Sequence, residues 1–260
     1  MPLLECYESL LNDGLLHIQG RPVETWVAVR KVEEYRLFFS PPQPQVILLA
    51  ESHRFNGEQE LGHVVTDEHL PETLLNQPYP REFVQFVYCL GCGENSLLDE
   101  PLPAATNTGT PQFWKLFYSC VEFPNGQPEF FWPLLKSRTP LDLRIATKTQ
   151  TLFMMKQQGI WLIDASIVAI NGLRRQNPQL YASILERCWD LHIGPTINEI
   201  GPPELIVIGM GVNHTLHARL EADFHGHLTV IHQPQSRNRT PEERLSDLRL
   251  VYSLCHPFII

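Results

Sequence analysis

Four short apolar runs with helix-like stretches between them predict an α/β protein. The expected architecture is a three-layer α/β/α fold around a central, mainly parallel four-stranded sheet, in a single domain over residues 1–260. Two observations carry this beyond the runs themselves. The runs do not alternate apolar with polar residues, which is the pattern of strands covered on both faces. With 260 residues, 43% hydrophobic and 19% charged, the chain can also bury a full core.

Residues 3–12 are predicted to form a short helix. Residues 26–39 alternate apolar and polar side chains around Arg30-Lys31, which predicts a hairpin or a strand leading into the sheet. Ser40-Pro41-Pro42-Gln43-Pro44-Gln45 is too rich in proline for a helix and predicts an extended connector. Residues 1–45 therefore form an N-terminal helix, hairpin and connector. Val46-Ile47-Leu48-Leu49-Ala50 is the first buried strand, followed by a polar loop and a proline-rich stretch to about residue 110. A helix is predicted over 111–123, with Phe113, Leu116, Phe117 and Cys120 on one stripe and a proline in its first turn. A second over 143–158 feeds the strand Ile160-Trp161-Leu162-Ile163. Asn177-Pro178 starts another helix, capping residue then proline, that runs to about His192. Residues 205–209 form the third strand, with a helix over 213–224 behind it. Residues 228–231 form the fourth, followed by a polar loop over 232–240 and a closing helix over 241–254.

No stretch approaches the 18–20 or so uninterrupted apolar residues of a membrane span, and Met1-Pro2-Leu3-Leu4-Glu5 lacks the basic and apolar regions of a signal peptide. A cytoplasmic, monomeric protein is expected, and six scattered cysteines suit that compartment. Cys89 and Cys92 form a single C-x-x-C pair without a second at metal-binding spacing, so neither a metal nor another cofactor is expected. The net charge of −9 argues against indiscriminate nucleic-acid binding. Yet residues 136–175 carry seven basic and two acidic residues, and such a basic face can meet phosphate if it is not simply solvated.

The polar residues follow the strands. Glu51-Ser52-His53-Arg54-Phe55 come after the first, Asp164 ends the second with Ser166 two residues on, and His232-Gln233-Pro234-Gln235-Ser236-Arg237-Asn238 come after the fourth. In a parallel sheet these loops share one edge, the usual place for ligands. Singly, Glu51 reads equally well as a loop carboxylate and His232 as a core histidine. Together they predict a site.

These clusters, in their order, resemble the uracil-DNA glycosylase superfamily, over residues 46–238. Members carry a catalytic loop of the Gly-Gln-Asp-Pro-Tyr-His or Gly-Glu-x-Pro-Gly type after the first strand, where this chain has Ala50-Glu51-Ser52-His53-Arg54. Their strand Gln-Gly-Val-Leu-Leu-Leu-Asn, followed by Leu-Thr-Val, is matched by Gln158-Gly159-Ile160-Trp161-Leu162-Ile163-Asp164, then Ile167-Val168-Ala169. A later strand ending in Gly matches residues 205–211, and the family's His-Pro-Ser-Pro loop falls at His232-Gln233-Pro234-Gln235. The resemblance implies a DNA glycosylase of base excision repair, with modified single- or double-stranded DNA as its partner. Such an enzyme flips a damaged or deaminated base from the stack and hydrolyses its N-glycosidic bond. Glu51 would position water or balance the cationic sugar, with His53 as second choice for that role, and His232 would donate to the leaving base. Ser52, Asp164, Phe55 and Tyr88 would meet the base, the two rings by stacking. Ser236, Arg237 and Asn238 would contact DNA.

The chain departs from the family pattern at the strand end, where Asp164 replaces the usual Asn. An ionised carboxylate only accepts hydrogen bonds, so it suits a base with an exocyclic amine better than uracil, unless it is protonated. Two other expectations remain open. One is a non-catalytic member of the same fold that binds nucleic acid or a nucleobase. The other is a metal-dependent hydrolase using His225, His227, His232 and Asp164.

Overall fold

The fold is a four-stranded, all-parallel sheet in the order β2-β1-β3-β4 with helices on both faces, in a computed structural model that describes residues 2–100, 102, 110–236 and 238–256. The three-layer α/β/α architecture expected from the sequence is the one observed. Helix α1 (Pro2–Asn12) buries Cys6, Tyr7 and Leu10. Helix α2 (Trp26–Phe38) stands where a hairpin or strand was expected. The alternation around Arg30-Lys31 is local. The spacing that governs is Ala28, Val29, Val32 and Tyr35, all buried on one helical face, and the Thr25 side chain caps the helix by accepting from the Ala28 N–H.

Strand β1 (Val46–Ala50) is buried along its whole length. The long stretch after it holds short helices α3 (Glu58–Leu61) and α4 (Glu72–Leu75) and a 3-10 turn at Asn95–Leu97. Helix α5 (Thr110–Val121) and helix α6 (Leu141–Gln157) follow, and α6 delivers the chain to β2 (Ile160–Asp164). Gly159 makes that delivery possible. Its φ is +76°, and a Cβ there would lie 2.9 Å from the Gln43 carbonyl, where the connector crosses and the Gln45 N–H donates to the Gly159 carbonyl.

After β2 come α7 (Leu173–Gln176) and α8 (Pro178–Cys188), the latter capped by the Asn177 side chain. The predicted helix to His192 continues through a π-helical turn (Trp189–Ile193) into α9 (Gly194–Ile200). Strand β3 (Glu204–Ile208), helix α10 (Met210–Asp223), strand β4 (His227–Ile231) and helix α11 (Pro241–Cys255) complete the chain. Helix α5 packs on α6 and α11, whereas α8 packs on α1 and α10. All six cysteines are buried. Among the described residues no helix is long and apolar enough to cross a membrane.

The registers Ala50↔Asp164 and Ile208↔Ile231 align the four strand ends. The chain runs from β1 outward to β2 and then crosses to β3 on the other side of β1. The sheet edge beyond these ends is therefore a topological switch point, where open α/β folds bind ligands.

Candidate active site

A cleft of about 510 Å³ opens at this edge, within the size range of ligand sites. Ala50 at the end of β1 with residues 51–54 after it, Asp164 at the end of β2 and residues 233–235 after β4 all line it, so three of the predicted loops meet in one place. Glu51, Ser52, His53 and Asp164 are brought together as the sequence suggested.

The centre of the site is a buried chain of charges. Arg36 Nη2 donates to Asp164 Oδ2 at 2.9 Å, and the same guanidinium pairs with Glu33. His53 Nε2 lies 3.1 Å from Glu24 Oε1, and His53 Nδ1 lies 3.8 Å from Asp164 Oδ2. Burial disfavours a charged imidazole, but the Glu24 and Asp164 carboxylates outweigh it and raise the His53 pKa to about 9. The raised pKa favours the imidazolium at neutral pH, a form suited to donating a proton and not to accepting one. Glu24 is also pushed up by burial, yet His53 and the N–H groups of Ala169 and Asn56 hold it below the usual carboxylate range. Because Glu24 binds both strand-end loops from a segment N-terminal to α2, it fixes their mutual position.

Glu51 behaves in the opposite way. Burial raises its pKa, and the Tyr181 hydroxyl, donating to Oε1 at 2.9 Å, and the Arg174 charge only partly offset this. A carboxylate shifted toward neutrality is suited to proton transfer. Ser52 Oγ accepts from the Ile170 N–H at 3.2 Å, tying the loop after β1 to the loop after β2. Phe86 and Phe113 line the cleft, with the Arg36 guanidinium 5.3 Å from the Phe86 ring centre. Side-chain amides of Gln85, Gln112, Asn171 and Gln233 add donors and acceptors to its wall.

Several expected residues lie elsewhere. Tyr88 is not available for stacking: it is buried in the aromatic core against Phe39, Phe86 and Phe117, and its hydroxyl accepts from the Leu162 N–H. Phe55 is half-buried and lines neither this cleft nor the one beside it. His232 lines that second cleft, with Nδ1 3.8 Å from Asp247 Oδ2. Of the three residues expected to contact DNA, Ser236 accepts from Arg244 through its carbonyl, Asn238 is exposed in a turn, and Arg237 falls outside the described residues.

The basic stretch over residues 136–175 is not one open face, because Lys136, Arg144 and Lys148 all surround the buried Glu94. The metal-hydrolase set is also separated. His227 opens β4 and pairs with Glu204 at 2.7 Å, whereas Asp164 closes β2, so they sit at opposite sheet edges, about 13 Å apart along strands of this length. Among the described residues no group of three His, Cys, Asp or Glu side chains is placed to hold a metal ion.

An alternating reading of residues 26–39 hides Arg36, and Glu24, which precedes that segment, pairs only with residues distant in the chain. As a helix, the segment puts Arg36 on the buried face with Val29, Val32 and Tyr35, and a buried arginine demands a buried carboxylate. Phe113 was expected on a core stripe, yet it is only partly buried at the cleft wall. No protein-family model matches this chain, and no curated protein matches it.

Proposed function

We propose that the first cleft receives a base swung out of a nucleic-acid strand and hydrolyses its N-glycosidic bond. The observation that carries this reading is the pairing, in one cleft, of a proton-accepting carboxylate with a buried imidazolium. Glu51 has a raised pKa and His53 is held charged, so acid and base tendencies are separated by environment. The partly exposed Phe113 offers an apolar face for a planar ring, and the neighbouring amides match the mixed donors and acceptors of a base edge.

In this reaction Glu51 orients a water and takes its proton as the oxygen bonds to the sugar C1′. The C1′–N bond breaks and its electron pair leaves with the base. His53 stabilises the negative charge that develops there, and the departing base takes up a proton from solvent while Glu51 returns the proton it removed from water. This replaces His232 by His53 as the cationic partner of the leaving group. Asp164 serves recognition. Its Oδ2 is held by Arg36, and Oδ1, which has no partner among the described residues, accepts from an exocyclic amine. The favoured substrate is therefore a modified base carrying an amino group.

A set of single- and double-stranded oligonucleotides, each with one modified base, tests this by alkali cleavage at abasic sites. Cleavage confined to amine-bearing bases is expected, and cleavage of none rejects the enzyme. One observation favours a second reading, a protein that only binds: His53 and Asp164 are already neutralised by Glu24 and Arg36. That reading gives binding without abasic sites.

A further inference from the structure

A second cleft of about 370 Å³ lies beside the first, and Gln112, Gln233, Pro234 and Arg244 line both. Its charge is unlike that of the protein as a whole. Lys115, Arg239 and Arg244 face two carboxylates there, Glu242 and Asp247, on a chain of net charge −9. Arg239 is charge-paired, with Asp247 at 3.0 Å and with Glu243 at 3.2 Å. Lys115 and Arg244 are not. Among the described residues neither has a carboxylate within ion-pair distance; the Lys115 ammonium rests 5.3 Å from the Phe131 ring centre, and Arg244 donates only to the Ser236 carbonyl. Burial and the nearby Arg244 charge both lower the Lys115 pKa, as expected for two cations brought together without an anion between them.

We propose that this second cleft is a phosphate-binding subsite in which Lys115 and Arg244 hold the phosphate of a nucleotide. A guanidinium supplies paired N–H groups for phosphate oxygens and an ammonium supplies a point charge, so the two complement each other. The shared wall sets the phosphate next to the base cleft, as for the nucleotide neighbouring an extruded base. The proposal rests on the base-excision reading only for that choice of a strand as source. A free nucleotide carries the same chemistry.

The test compares wild type, Arg244→Gln and the Lys115→Gln/Arg244→Gln pair in two arms. In the first, inorganic phosphate and thymidine monophosphate are added at constant ionic strength and thermal unfolding is followed. Wild type is expected to gain stability and the double variant to gain none. In the second, a labelled single-stranded oligonucleotide of unmodified bases is bound over a range of salt. The slope of log Kd against log salt is expected to shrink by about 0.7 in Arg244→Gln and about 1.4 in the double variant. Arg30→Gln, which removes an exposed charge paired with Glu34 outside both clefts, is expected to leave the slope within about 0.3 of wild type. Arg244 is exposed, so its single variant keeps the fold and the test alive if the double variant unfolds. A response to phosphate alone assigns the subsite to free nucleotides. Equal behaviour of all variants in both arms overturns it. Unmodified bases offer nothing to excise, so this result is independent of any failure of the glycosylase reading.

Discussion

Two buried ionic clusters among the described residues differ in what lies beside them, and the one around His53 lines the first cleft. Around Glu94, Arg144 donates through Nε at 3.2 Å and Nη2 at 2.8 Å, Lys148 Nζ lies at 2.7 Å and Lys136 Nζ at 3.5 Å. Burial works against this carboxylate, but its cations prevail and hold its pKa down at about 2. Both of its oxygens are engaged. Around His53 the charges are as deeply buried, yet Nδ1 makes no hydrogen bond and the cluster opens onto the 510 Å³ cleft. A buried charge by itself therefore marks architecture. A buried cluster left incomplete beside open space marks a site.

The comparison can be broken most decisively at Glu51. Glu51→Gln is expected to slow single-turnover abasic-site formation by about 10²- to 10⁴-fold with no loss of thermal stability. A rate within a few-fold of wild type would place the base elsewhere. Next in size, Glu94→Gln strands Arg144 and Lys148 in the interior and should cost about 3–5 kcal/mol in urea unfolding. The rate per folded molecule should not change, and a rate loss like that of Glu51→Gln would erase the distinction between the clusters.

The two clusters should also titrate in opposite directions. His53 has a raised pKa, so its stabilisation is complete below pH 6.5 and is lost as pH rises through about 9. Glu94 has a lowered pKa, so its stabilisation is complete above pH 4.5 and is lost as pH falls through about 2. Unfolding free energies measured from pH 3 to 10 should show both limbs. His53→Gln should flatten the alkaline limb and also weaken the acid limb, because Glu24 loses the cation that holds its pKa down. Glu94→Gln should weaken the acid limb and leave the alkaline limb intact; an alkaline limb that survives His53→Gln contradicts the assignment. The smallest effect is expected at His232. His232→Ala should reduce the rate by less than about tenfold, at least tenfold less than His53→Gln, because His232 lines the second cleft. The reverse order would return the leaving-group role to His232.

The sheet was legible because burial on both faces leaves β1 and β2 as unbroken apolar runs, and a polar residue just after such a run must lie at the sheet edge. That local rule located Glu51, His53 and Asp164 at one cleft. What it missed depends on distance along the chain. Arg36 reaches Asp164 across 128 residues, and Glu24 reaches Ala169 across 145, so neither pairing leaves a local pattern. Helix α2 shows the same limit from another side: alternation around Arg30-Lys31 imitates a strand, and only burial of residues three and four apart identifies the helix. His232 follows a strand directly, whereas Tyr88 enters only through the stacking ring that the resemblance implies. A side chain's surroundings are set by what packs against it: the Phe39, Phe86 and Phe117 rings enclose Tyr88, and Asp247 of α11 lies 3.8 Å from His232.

Chromatographic detection of the released base decides whether the first cleft cuts the glycosidic bond. With an amine-bearing modified base in an oligonucleotide and enzyme in excess, one free base per abasic site is expected, formed by wild type and at least about 100-fold more slowly by Glu51→Gln. Tight binding of every oligonucleotide with no free base from any of them would contradict it, and would leave the first cleft as a pocket that holds a base without cutting its bond to the sugar.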